Sequence, residues 1–171
     1  MTGRWIIRPS KREDLAAIDA LLSRSYPALL KADYPPSVLV TAVPLLARAN
    51  PELVTSGTYF VVDAGGEILG AGGWTPGAPP GGSRQRRIGH VRHVATDHTQ
   101  VRKGVGRRLM THIFSDAASA GVAQLECYST LTAEPFYVAC GFRALGPMSV
   151  TLRKGIDFPA VHMRRFLKGI A

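Results

Sequence analysis

The chain is poor in acidic residues, in cysteine and in long apolar runs. Twelve Asp and Glu stand against 21 Lys and Arg, which leaves a net charge of +9. A balance so basic turns away cationic partners and favours anionic ones: nucleic acid, a phosphorylated ligand or an acidic surface. Two cysteines, Cys127 and Cys140, cannot build a disulfide framework, and no His or Cys companions stand at metal-ligand spacing around them. They read as reduced, partly buried thiols. No apolar run approaches the ~20 residues that cross a bilayer. The opening "MTGRWIIRPS" has neither a long apolar core nor a small-residue cleavage site. The expectation is a cytoplasmic protein with no signal peptide and no membrane partner. Aromatic residues are also scarce, at 8%, and they are not interleaved with the basic clusters. Stacking platforms for single-stranded nucleic acid need that interleaving. No helix-turn-helix pattern is present either.

What is there is globular. Hydrophobic residues make up 46% of 171 positions, enough for a real core in one domain spanning 1–171. The segment Trp5–Arg8 reads as a short strand broken by Pro9-Ser10. Leu15, Ile18, Leu21 and Leu22 have helical spacing. Residues 26–36 read as a proline-punctuated loop. Ser37 is a candidate cap for a second helix, with Pro44 as a kink or early break. Residues 58–74 form a hairpin around Ala64-Gly65-Gly66. A Pro/Gly loop (75–87), a strand (88–97), an amphipathic helix (104–121), a strand (122–129), a short helix (132–141) and two or three short strands complete the chain. A three-strand meander followed by β-α-β predicts an α/β fold, with a mixed sheet and helices on both faces.

One stretch concentrates charge and glycine at the mouth of a helix. "QVRKGVGRRLM" (100–110) follows a strand that ends near Thr96. The first turn of a helix has unpaired N–H groups and a positive dipole end. Gly104 and Gly106 let an anion approach the backbone, and Arg102, Lys103, Arg107 and Arg108 add charge. The stretch is neither a Walker loop, which needs GK[ST], nor a dinucleotide fingerprint, which needs a third glycine where Leu109 stands.

Together, "HVATDHTQVRKGVGRRLM" and the later "LECYSTLTAEPFYVACGF" resemble the two signatures of the GCN5-related N-acetyltransferases. The element order fits as well, so the resemblance covers nearly the whole chain. It departs at Val101, where the family has Gln or Arg, and at Thr132, where many members have Asn. The resemblance implies a mostly antiparallel sheet of six to seven strands, splayed between strands 88–97 and 122–129. It implies acetyl-CoA as donor. The backbone of Arg102, Lys103, Gly104, Val105, Gly106 and Arg107 would hold the pyrophosphate. The main chain of Val94, Ala95 and Thr96 would pair with the pantetheine arm as a strand pairs with a strand. Thr132 would cap the following helix without reaching the cofactor as an Asn would.

Acetyl transfer to an amine needs a neutral amine, a stabilised thiolate leaving group and a donor for the oxyanion. Tyr137 matches the family tyrosine that protonates the departing sulfur, and a phenol keeps its proton at neutral pH. An aromatic core residue is the other reading of Tyr137, and Phe136 is expected in the core. The general base stays open. Many relatives carry a Glu on the strand before the glycine loop, and Arg92 stands at that place. His93, His90, Glu126 acting through water, or ordered water alone remain candidates. An acetyl-cysteine intermediate is not expected, because Cys140 lies at the C-terminal end of its helix, where a thiol is not activated.

The acceptor is expected to be a small-molecule or peptide amine touching loops 26–40 and 75–87, with Tyr26, Tyr34 and Trp74 as candidate walls. Two other functions remain open: a basic nucleic-acid-binding protein, and a non-catalytic acyl-CoA sensor. Exposed C-terminal strands offer a surface for a homodimer.

Overall fold

The computed structural model describes residues 4–77 and 87–167. Seven strands form one sheet in the order β1-β2-β3-β4-β5-β7-β6. They are β1 (Ile6–Pro9), β2 (Tyr59–Ala64), β3 (Glu67–Pro76), β4 (Ile88–Thr96), β5 (Gln124–Thr130), β6 (Arg143–Arg153) and β7 (Ile156–Phe166). All neighbours run antiparallel except β4 and β5. The helices are α1 (Leu15–Leu30), α2 (Pro36–Leu46), α3 (Pro51–Val54), α4 (Val105–Ser119) and α5 (Glu134–Ala139).

Alternation along β2 divides the core. Tyr59 and Val61 point into a cluster with Ile18, Leu21 and Leu22 of α1. Phe60 and Val62 point the other way, toward Val105, Leu109 and Ile113 of α4. A strand's period of two puts successive side chains on opposite faces, so both faces of the sheet are covered. The fully buried Ile18, Leu21 and Leu22 each contribute about 2 kcal/mol by leaving water.

Four expectations need correction. Residues 26–30 are not loop: α1 runs through Pro27 to Leu30. Proline removes one helical N–H, but Tyr26 before it and Leu30 after it are buried, and that packing holds the helix. Ser37 is not a cap; Pro35 holds that position and Pro36 starts α2. Thr75 and Pro76 belong to β3 rather than to a loop, and 78–86 lie outside the described residues. The C-terminal segment forms two 11-residue strands in place of two or three short ones. Gly146 and Pro147 look like breaks in sequence, yet the ladder absorbs them through a register shift between Ala144 and Gly146.

Candidate active site

β4 and β5 pair only from Ile88 to His90 against Gln124 to Glu126. Beyond His90 the β5-facing edge of β4 has no partner strand among the described residues, so the sheet is splayed there. The gap holds a cavity of about 1090 Å³ lined from both faces of the sheet. One end reaches Gly104 and Gly106 of the α4 start, with Phe136 and Tyr137 of α5; the other reaches Leu30, Leu46 and Phe158.

The α4 start is built for an anion. Gly104 is the N-cap in the left-handed region (φ 82) and offers no side-chain cap, so the first-turn N–H groups of α4 have no helical partner. Asp97 accepts from the Thr99 N–H (2.9 Å) and hydroxyl (2.7 Å), and Arg24 pins it at 2.9 Å. These bonds fix the loop that leads to the glycines. Gly106 must be small, because a Cβ there would lie 3.1 Å from the Phe136 ring. Of the cations read from sequence, Arg102 lines the cavity. Arg107 also lines it but donates to the Ala139 carbonyl at 3.1 Å, and Arg108 lies over the Trp5 ring at 4.6 Å. The Lys103 N–H spends itself on a long turn bond to Gln100 (3.4 Å). Val105 is core.

Val94, Ala95 and Thr96 line the cavity along the unpaired edge of β4. Two residues of β4, His93 and Val94, stand where β3 offers only Gly72 between the paired Ala71–Ala95 and Gly73–Arg92. This is a β-bulge, with His93 at φ 51. The Tyr59 hydroxyl donates to the His93 carbonyl at 2.8 Å and holds it. A bulge frees backbone groups from the ladder, beside the cavity. The sequence carried one signal for it, Gly72-Gly73, since a Cβ on Gly72 would strike the Val94 side chain at 2.7 Å.

Tyr137 is buried in the core at 6% exposure and is also part of the cavity wall. Burial pushes its phenol well above the usual value, with no hydrogen bond contributing. Phe136, expected in the core, is only partly buried and lines the cavity. Thr132 lines the cavity but caps nothing: Ala133 is the N-cap of α5, and Thr132 donates to Asp33 at 2.7 Å. The helix starts later than the sequence suggested, because the Thr130 hydroxyl accepts from the Ala133 N–H (3.1 Å) in a preceding turn. Cys127 lines the cavity and Cys140 caps the end of α5; burial raises both thiols.

His93 lines the cavity with its Nε2 on the Leu46 carbonyl at 2.7 Å. A carbonyl only accepts, so Nε2 carries the proton and Nδ1 keeps the free lone pair. Burial lowers its pKa. Glu126 is not among the cavity-lining residues. It accepts from Arg164 at 3.0 Å, and its other oxygen lies 3.5 Å from both His90 and His162. Among the described residues no cluster of His, Cys, Asp or Glu could hold a metal ion. Tyr26 lines the cavity, whereas Tyr34 stacks on Phe158 at 4.5 Å and Trp74 donates to Asp116 at 2.8 Å. Sequence reasoning missed the apolar wall of Leu30, Leu46, Leu53, Val150, Leu152 and Phe158, because it gathers residues from five elements.

These environments predict an acid response in two stages. Burial lowers His90 and His93, so the unfolded chain takes up protons first as pH falls below 6.5, and stability declines there. The hydrogen bond from Arg8 lowers Asp14. At Glu126 burial is outweighed by Arg164 and the neighbouring histidines, so this carboxyl is lowered too. Their contribution is present above the ordinary carboxylate range and is lost as pH falls through it. A melting temperature that falls between pH 7 and 5, then more steeply below about 4.5, is expected. A flat profile down to pH 5 would contradict the histidine part.

Known proteins share this fold. Residues 44–166 match the acetyltransferase (GNAT) domain family, so the chain belongs to that family. It is an acyl-CoA-dependent acetyltransferase whose acceptor is unidentified. A GCN5-related N-acetyltransferase from Rhodopseudomonas palustris is similar at TM-score 0.73 and 19% identity, over 95% of both chains. The PaiA N-acetyltransferase of Thermoplasma acidophilum, solved with coenzyme A, is similar at TM-score 0.71 and 12% identity, over 95% of this chain and 99% of that one. The ribosomal-protein-S18-alanine N-acetyltransferase of Escherichia coli is similar at TM-score 0.64 and 17% identity, over 98% and 96%. At these identities the likeness is one of fold. No curated protein sequence matches the chain significantly. Among the described residues no helix is long and apolar enough to cross a membrane.

Proposed function

We propose that the enzyme moves an acetyl group from acetyl-CoA directly to a primary amine. The observation that carries this is the split between β4 and β5, which joins the α4 anion seat to Tyr137 through one cavity. The first-turn N–H groups of α4, with Arg102 beside them, hold the diphosphate. The free edge of β4 at Val94, Ala95 and Thr96 pairs with the pantetheine amides. The bulge at His93–Val94 presents backbone N–H to the developing oxyanion. The amine nitrogen bonds the acyl carbon, the carbon–sulfur bond breaks, and Tyr137 gives its proton to the leaving thiolate. The proton lost by the amine goes to ordered water or to Nδ1 of His93. Glu126 is engaged with Arg164 at 3.0 Å and is not among the cavity-lining residues, so it is not the first acceptor of that proton.

Calorimetric titration with acetyl-CoA at two salt concentrations tests this. Binding that survives salt is expected, since the pantetheine arm would be enclosed. Binding that collapses with salt, as with any polyanion on a basic surface, would instead favour nucleic acid. Gly104→Val is expected to weaken acetyl-CoA binding by at least ~10-fold, because a β-branched residue resists φ 82 and its methyls occupy the diphosphate space. Unchanged affinity in the folded variant would move the seat elsewhere.

A further inference from the structure

The acceptor side of the cavity has an unusual charge pattern. Among the described residues no Asp or Glu lines the cavity, and the Lys and Arg side chains that do are Arg92, Arg102 and Arg107. The last two belong to the α4 end. Arg92 stands on β4, lines the same cavity as the apolar wall, and is half-buried. Partly buried Arg8 has Asp14 and Asp63, partly buried Arg164 has Glu126 and exposed Arg24 has Asp97, whereas partly buried Arg165 is satisfied by the Cys140 carbonyl and the face of the Phe114 ring at 4.1 Å. Arg92 has only the Thr75 hydroxyl at 3.3 Å among the described residues. The undescribed segments 1–3, 78–86 and 168–171 contain no Asp or Glu side chain that could pair with it. Burial accordingly lowers its pKa with no anion offsetting the cost.

A desolvated guanidinium facing a cavity is a carboxylate receptor. The same cavity has an apolar wall of Leu30, Leu46, Leu53, Val150, Leu152 and Phe158. A polyamine, an aminoglycoside or a lysine-rich peptide would bring further cations and meet no carboxylate. Such a ligand would leave its charges unpaired in a low-dielectric site. Building on the acetyltransferase reading above, we propose that the acceptor is an α-amino acid with an apolar side chain. Arg92 takes its carboxylate and the leucine-rich wall takes its side chain. Arg92 also disfavours the ammonium form of the approaching amine, which is the direction acyl transfer requires.

The test is a turnover panel with acetyl-CoA, read by thiol release, after calorimetry has shown acetyl-CoA to bind. Absence of that binding would overturn the parent reading, and with it this one. With binding in hand, the panel compares leucine and phenylalanine with leucinamide, phenethylamine and spermidine. The free amino acids are expected to have kcat/KM at least ~10-fold above their uncharged counterparts, with spermidine inactive. In Arg92→Gln that preference is expected to collapse toward one, chiefly through KM, and Arg92→Lys should keep part of it. The melting temperature of each variant checks its fold. Equal turnover of acid and amide, preference for spermidine, or no turnover of any apolar amino acid would overturn the acceptor assignment and leave the acetyl-CoA seat standing. So would a preference for butyryl-CoA over acetyl-CoA that is indifferent to the acceptor carboxylate, since the wall would then belong to the acyl chain.

Discussion

Tyr137→Phe is expected to lower kcat by about 10²–10³-fold while the Kd for acetyl-CoA stays within about twofold. The substitution removes one oxygen and keeps the ring. The ring is what packs, edge to face against Phe136 and Phe142 with both centroids at 5.3 Å. No hydrogen bond to the hydroxyl is lost, so the fold should not loosen. What disappears is a proton held at the cavity wall by burial, available only when a strongly basic thiolate forms beside it. Steady-state kinetics, calorimetry and a melting curve on one preparation check all three parts. A parallel loss of turnover and affinity would reduce Tyr137 to a packing residue. Full turnover would pass the thiolate's proton to water.

Gly73→Ala is expected to destabilise the protein by about 3 kcal/mol, a fall in melting temperature of roughly 6–12 °C. An added Cβ would lie 2.2 Å from the Thr58 carbonyl oxygen and 2.6 Å from the Tyr59 Cα. These are backbone atoms, and no rotamer change relieves them. That carbonyl also accepts the Trp74 N–H at 3.0 Å, and Gly73 opposes Arg92 at the edge of the bulge. The strain therefore falls on the strand pair that shapes the cavity, and activity should fall with stability. Thermal denaturation of the variant settles the magnitude; a shift under 2 °C would mean that β2 and β3 can separate cheaply here.

The two signatures were legible because each is local. Gly104 and Gly106 stand at a strand-to-helix junction whose physics needs only a few consecutive residues. Tyr137 lies in a short helix that Gly141 ends. Where the sequence misled, a local rule lost to packing. Pro27 reads as a breaker, but the burial of Tyr26 and Leu30 carries α1 past it. Thr132 reads as a cap, but Asp33, 99 residues away in the chain, takes its hydroxyl. The side chains of Arg107 and Arg108 read as added charge at the helix mouth, and the structure engages them with a carbonyl of α5 and the Trp5 ring.

By itself the sequence determined the element order apart from the short α3, the family resemblance and the glycine-and-cation junction, because period, turn chemistry and motif spacing act over a few residues. Only the tertiary structure decided how β4 and β5 part after His90, which face of the gap is apolar, and that Arg92 meets no carboxylate there. Those properties belong to residues brought together from α1, α2, β4, β6 and β7. No window of sequence contains them, because long-range packing alone sets which side chains share one cavity.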